Sequence, residues 1–125
     1  MSKRGSLISC VMVLLMVVWG CAGIQPETMT VVGGKQVTYR CEGGVRIVAR
    51  YFSLSDESLH FVKVWMPSGK EYTLPQAVSA SGARYTDERE LVWWNKGDTA
   101  FVKMRDRQGR WQVIYRTCRE VGQSK

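Results

Sequence analysis

The stretch TAFVKMRDRQGRWQVIYRTC, Thr99 to Cys118, decides the fold class. Ala100, Val102 and Met104 alternate with Phe101, Lys103 and Arg105, so an extended chain here turns one wholly apolar face inward and a mixed face outward. Gln108-Gly109 interrupts the run as a turn, and Trp111 to Cys118 resumes it. The period is two, that of a strand, and no part of the chain beyond its first twenty residues carries a long helical repeat.

Working outward, the same punctuation recurs. Gln36 to Cys41 and Val45 to Phe52 flank the compact turn Glu42-Gly43-Gly44, and Ser53 to Ser58 is polar enough to be another turn. Leu59 to Met66 ends at Pro67-Ser68-Gly69, and Lys70 to Leu74 reads as a short strand stopped by Pro75. Leu91 to Trp94 precedes the turn Asn95-Lys96-Gly97-Asp98. The expectation is an all-β domain of seven or eight short antiparallel strands. A small β-barrel, closed or nearly so, hides the strand edges most economically, and a sandwich is the alternative.

The chain opens differently. Lys3 and Arg4 precede an apolar run from Ser6 to Gly20, which is short of the roughly 20 apolar residues a spanning helix needs and reads as an export leader. The junction Val18-Trp19-Gly20-Cys21 resembles the bacterial lipobox, which implies cleavage before Cys21 and its lipidation. Ordinary cleavage after Ala22, releasing a soluble periplasmic protein, is the rival. The expected plan is a signal peptide over 1–20, a lipidated N-terminus and tether over 21–34, a barrel domain over 35–121 and a tail over 122–125.

Losing the leader removes Cys10. If Cys21 carries lipid, Cys41 and Cys118 remain as one pair, and an oxidising compartment makes them a disulfide that closes the barrel. Loop-closure entropy assigns such a link about 4.5 kcal/mol. Without Lys3 and Arg4, the 18 basic and 11 acidic side chains of the whole chain become a net charge of +5. Much of the excess lies late, in Lys103, Arg105, Arg107, Arg110, Arg116 and Arg119, where solvated strand faces and an anionic-surface patch are both open readings.

Catalytic chemistry finds little support. His60 is the only histidine and has no recognisable nucleophile partner. Asp87, Glu88 and Glu90 crowd one turn around Arg89, as a solvated hairpin tip does more readily than an acid-base pair. No phosphate-cradling loop and no CxxC or His cluster is present, so no cofactor and no metal is expected.

What remains is two unusual turns joined by one hairpin: Ser81-Gly82 before Tyr85, and Lys96-Gly97 after Trp93-Trp94. Loops flanking a hairpin converge at one rim of a barrel, which would set Ser81 beside Lys96. By composition alone the glycines serve turns, Tyr85 and Trp94 pack inside, and Lys96 is solvated.

The blocks Ser79-Ala80-Ser81-Gly82-Ala83-Arg84-Tyr85-Thr86-Asp87 and Trp94-Asn95-Lys96-Gly97-Asp98-Thr99-Ala100 resemble the two signatures of the membrane-bound inhibitors of c-type lysozyme. Those are a Ser-Gly-x-x-Tyr and a Lys-Gly preceded by a small hydroxyl residue. Tyr39-Arg40-Cys41 and Thr117-Cys118 match the flanking half-cystines. The resemblance implies a small antiparallel β-barrel, lipid-anchored through Cys21 at the periplasmic face of the outer membrane or soluble in the periplasm. It implies a non-enzymatic protein that plugs the cleft of a host c-type lysozyme, with no nucleic-acid partner. Ser81, Gly82, Tyr85, Lys96 and Gly97 are the implied inhibitory residues, Ser81 and Lys96 foremost. The sequence departs at Asn95, where Ser or Thr is usual, and in a Thr86 to Leu91 hairpin one residue longer than typical. The alternative function is a basic structural lipoprotein that binds an anionic envelope component.

Overall fold

The computed structural model describes residues 25–122 together with Gly20 and Gly23. Eight antiparallel strands run in order around a closed barrel: β1 Val31–Arg40, β2 Arg46–Leu54, β3 His60–Trp65, β4 Glu71–Ala77, β5 Ala83–Thr86, β6 Leu91–Lys96, β7 Thr99–Arg105 and β8 Trp111–Val121. The alternation in Thr99 to Arg105 is realised as expected: Ala100 and Val102 are buried inside while Phe101 and Lys103 stand outside. Each strand gives its inner positions to one core, in which Ile47, Val62, Leu74, Leu91 and Trp93 are completely buried.

Three boundaries differ from the sequence reading. First, β1 begins at Val31, inside the span read as tether. Gly33 and Gly34, which look like linker residues, take φ of +100° and +95° at a register shift against β2, and a Cβ on Gly33 would stand 2.8 Å from the Tyr51 carbonyl oxygen. They are bulge residues. Second, β4 runs through Pro75 to Ala77. Its pairing with β3 ends at Phe61–Pro75 and its pairing with β5 starts at Gln76–Tyr85, so the missing N–H of proline falls where the strand changes partner. Third, the first arm of the hairpin that joins the two turns is the four-residue β5, which carries no strand periodicity of its own in the sequence. Cys21, the leader up to residue 19 and the last three residues of the tail lie outside the described residues.

Closure depends on three residue pairs between β1 and β8: Thr38–Val121, Tyr39–Glu120 and Arg40–Arg119. One residue beyond β1, Cys41 is bonded to Cys118 at a Cα separation of 3.8 Å, so the disulfide and the seam share one corner. β8 reaches that corner by bulging against β7 between Ala100 and Val102. There Thr117 takes φ +49°, costly for a β-branched residue, while its hydroxyl donates to the Glu42 carboxylate at 2.9 Å.

Replacing Cys41 and Cys118 together by serine is expected to lower unfolding free energy by about 4 kcal/mol, the chain-entropy value for so long a loop. Urea unfolding followed by circular dichroism measures it. A loss under about 1 kcal/mol would mean that the strand seam closes the barrel unaided.

Candidate functional site

The β2–β3 turn, the β4–β5 loop and the β6–β7 turn meet at one mouth of the barrel. Ser81 and Gly82 belong to the loop, and Lys96 and Gly97 open the last turn. Gly82, at φ +69°, lies so close to β6 that an added Cβ would collide with the Asn95 carbonyl oxygen and stand 3.2 Å from Lys96 Cγ. Only glycine permits that approach, and it draws Ser81 alongside Lys96. Both side chains are exposed. Gly97 adopts φ +62° to turn the chain into β7, and the Thr99 hydroxyl donates to the Lys96 carbonyl at 3.0 Å.

Trp94 ties the two turns together. Its indole Nε1 donates to the Ser81 carbonyl at 3.0 Å, and the Lys96 ammonium lies 5.0 Å from the centre of its ring. One ring therefore fixes the backbone of one residue and restrains the side chain of the other. By composition Trp94 was expected inside the barrel. The structure places it outside, because Trp93 takes the inner position and neighbours on a strand face opposite ways.

Beneath the mouth lies a polar cluster that the sequence did not announce. Asn95 points inward, and its Nδ2 donates to the Tyr51 hydroxyl at 2.7 Å and the Tyr39 hydroxyl at 3.2 Å. The two phenols are 2.8 Å apart, and Trp93 Nε1 donates to Tyr51 at 3.0 Å. Asn95 Oδ1 is buried with no partner among the described residues. The departure at this position is thus structural: a longer amide reaches across the lumen and pins the end of β6 to β1 and β2. Burial, then the hydrogen bond with Tyr51, pushes the Tyr39 phenol far above its usual ionisation range.

Tyr85 does not belong to the exposed set. It faces the core, 7% exposed, with its ring 5.8 Å from that of Tyr51, and burial raises its ionisation too. The acidic turn read as a solvated hairpin tip lies away from this mouth. Asp87, Glu88 and Glu90 sit at the opposite mouth, one six-residue strand or about 20 Å away. Their charges are engaged: Glu88 pairs with Arg84 at 2.7 Å, Glu90 with Lys70 at 2.8 Å, and Asp87 Oδ1 accepts the amides of Arg89, Glu90 and Leu91. Partial burial works against ionisation of Asp87, but those amides outweigh it and hold its carboxyl below the usual range.

Two further residues mark the mouth that carries Ser81 and Lys96. Val78, 97% exposed, stands in the Ser81 loop, and a groove of about 400 Å³ runs between it and Leu59. His60, at the start of β3, lines that groove and is exposed. Among the described residues no group of three His, Cys, Asp or Glu converges to hold a metal.

Residues 39–111 match the family model described as membrane-bound lysozyme-inhibitor of c-type lysozyme. A protein of Yersinia enterocolitica bearing that description is 36% identical over 100 residues, covering 80% of this chain and 70% of the relative. An Escherichia coli counterpart is 62% identical over a shorter block of 34 residues, 27% of this chain and 30% of the relative. Among solved structures, Pseudomonas aeruginosa MliC in complex with hen egg white lysozyme superposes with a TM-score of 0.56 at 21% identity, covering 80% of this chain and 94% of that one. That likeness shows a shared fold.

Two outcomes follow from the geometry at the mouth. Trp94→Phe keeps the ring but loses the donor to Ser81, so amide exchange at residues 80–83 is expected to quicken about fivefold, the worth of one hydrogen bond, with the melting curve little changed. Unchanged exchange would free the loop from Trp94. Because the folded state holds the Tyr39 proton beyond the pH at which an unfolded tyrosine releases it, stability is full below about pH 10 and falls above it. Each such phenol adds at most about 1.4 kcal/mol per pH unit. Urea melts across that range should show a shallower fall for Tyr39→Phe, and parallel slopes would exclude Tyr39.

Proposed function

The chain belongs to the family of membrane-bound lysozyme inhibitors of c-type lysozyme, and from that membership we propose that it blocks a c-type lysozyme by placing Lys96 and Ser81 in the catalytic cleft. The supporting observation is their convergence: an exposed ammonium with no carboxylate partner among the described residues, beside an exposed hydroxyl, at one mouth of a disulfide-closed barrel. Glycosidases that retain configuration carry two carboxyl groups about 5 Å apart, one ionised. An ammonium is a compact triple donor that fits such a gap, and in a water-poor cleft its bonds to a carboxylate are charge-assisted. The Ser81 hydroxyl donates to the second carboxyl or a nearby carbonyl. The protein itself acts without turnover, by occlusion.

Val78 adds apolar contact beside the pair, and the held loop and turn limit the ordering cost of association. Long-range charge works the other way. Without its leader the chain carries +5 and meets an enzyme class that is typically basic, so steering opposes encounter, and the opposition weakens as salt screens it. Affinity must therefore come from contact. In the finer reading of location, Cys21 carries the lipid and holds the domain at the periplasmic face of the outer membrane.

Lysis of suspended bacterial cells by hen lysozyme, titrated with the purified domain, tests the proposal. Protection should rise with dose, and Lys96→Ala should weaken inhibition by about 30-fold or more, some 2 kcal/mol. Absence of protection by the unaltered domain would end the inhibitory reading. Undiminished protection by the variant would instead remove Lys96 from it.

A further inference from the structure

The wall of the barrel below Trp94 sets cations directly over outward-facing aromatic rings. Outward positions on a barrel strand are ordinarily polar, yet on β6, β7 and β8 they hold Val92, Trp94, Phe101, Trp111 and Val113. Cations crowd these rings. Arg84, Lys96 and Lys103 lie 5.9, 5.0 and 5.7 Å from the Trp94 ring, and Arg105 lies 4.8 Å from that of Trp111. Of the four, only Arg84 has a carboxylate partner among the described residues, Glu88. Half-buried Lys103 has none, and it forms the wall shared by two grooves. One of about 230 Å³ is lined by Arg84, Val92, Trp94, Lys103 and Trp111, and the other, of about 510 Å³, sets Lys103 with Phe101, Val113, Arg116 and Glu42.

We propose that this wall is a second docking surface, on which the domain lies against an anionic phospholipid bilayer with a headgroup phosphate seated between Arg84 and Lys103. Like charges gathered around one indole repel each other, and an anion among them relieves that repulsion while Arg and Lys supply its hydrogen bonds. The occupant follows from two features together. Indole rings flanked by Lys and Arg suit the headgroup layer, where ring and ammonium each find a matching depth. The family is membrane-bound, so a lipid surface is the polyanion nearest the domain. The wall stands beside the mouth that carries Ser81 and Lys96, so docking would orient that mouth along the membrane. The proposal needs the membrane association of the family and is independent of lysozyme binding.

The chain from residue 21, with Cys21→Ser so that no acyl group contributes, is mixed with vesicles of phosphatidylglycerol and phosphatidylethanolamine, or of phosphatidylcholine alone. Sedimentation and tryptophan emission report binding. Binding is expected to the anionic vesicles only, with blue-shifted emission, and to weaken at least about tenfold in Lys103→Glu. Trp111→Ala should reduce it while sparing the charge, and Lys103→Gln serves if the reversal impairs folding in a thermal melt. Arg50→Glu, on β2 across the barrel, should cost far less. Equal losses from Arg50→Glu and Lys103→Glu would reduce the effect to net charge and overturn the proposal, as would indifference to phosphatidylglycerol. Displacement from vesicles by millimolar glycerol phosphate, or equally Lys103-dependent binding of single-stranded DNA, would also overturn it. Lysozyme inhibition measured without vesicles remains a separate readout.

Discussion

Everything in this molecule depends on closing the sheet between its first and last strands. An eight-strand sheet left open would expose two rows of unpaired amides and carbonyls and let water into a core filled by Trp93, Leu74 and Ile47. The seam is short, only three residue pairs, and one of them sets Arg40 opposite Arg119. Like charges across a pair oppose pairing. Arg119 is drawn aside toward Asp98 at 3.3 Å, and the Cys41–Cys118 bond holds the strands together one step further on. The bulge that puts Thr117 into a left-handed conformation belongs to the same arrangement, since it delivers Cys118 to the interior opposite Ala100. Strain at one residue is accepted where a covalent link fixes the geometry.

That closure reaches the mouth carrying Ser81 and Lys96 through the lumen. Tyr39 lies in the seam strand, Tyr51 in β2 and Asn95 at the end of β6, and their side chains meet in the middle of the barrel. A cluster of this kind in a low-dielectric interior is strongly directional, because each partner lost strands another without water. It therefore fixes how far the end of β6 projects, and with it Lys96. The unpartnered Asn95 Oδ1 is the cost of using a side chain long enough to span the lumen.

Strand periodicity carried most of the fold into the sequence, and Thr99 to Arg105 is its clearest case. What escaped was local. Gly33-Gly34 reads as linker because glycine favours both tethers and bulges, and only the approach of the Tyr51 carbonyl distinguishes them. Pro75 reads as a stop because a missing N–H usually ends a ladder, and here the ladder changes sides at that residue. The loop and turn carrying Ser81 and Lys96 could be brought together from topology, since they flank one hairpin. The same topology sends the acidic turn to the far mouth, a consequence visible in the sequence once strand directions are assigned. Trp94 was legible in principle: two adjacent tryptophans on a strand must face opposite ways, so one of them is outside. The Tyr39, Tyr51 and Asn95 cluster was not, because it joins three strands whose register no local pattern specifies.

Trp94 also bears on how, in the proposed complex, a basic domain holds a basic enzyme. A free lysine side chain carries about 2 kcal/mol of rotamer entropy that binding must remove, and a net charge of +7 over the whole chain adds repulsion before contact. Repulsion between exposed charges fades beyond a Debye length of about 8 Å at physiological salt, so it slows encounter more than it weakens a formed complex. The rotamer cost falls on the complex itself. With its ammonium already resting 5.0 Å from the indole, Lys96 has surrendered part of that freedom in the unbound domain, in exchange for a cation–π contact of about 0.5–1 kcal/mol. In the proposed complex that contact is weaker than a charge-assisted bond to a carboxylate in a dry cleft. The ring therefore restrains the lysine without retaining it, and contact at the mouth can exceed the repulsion between the two bodies.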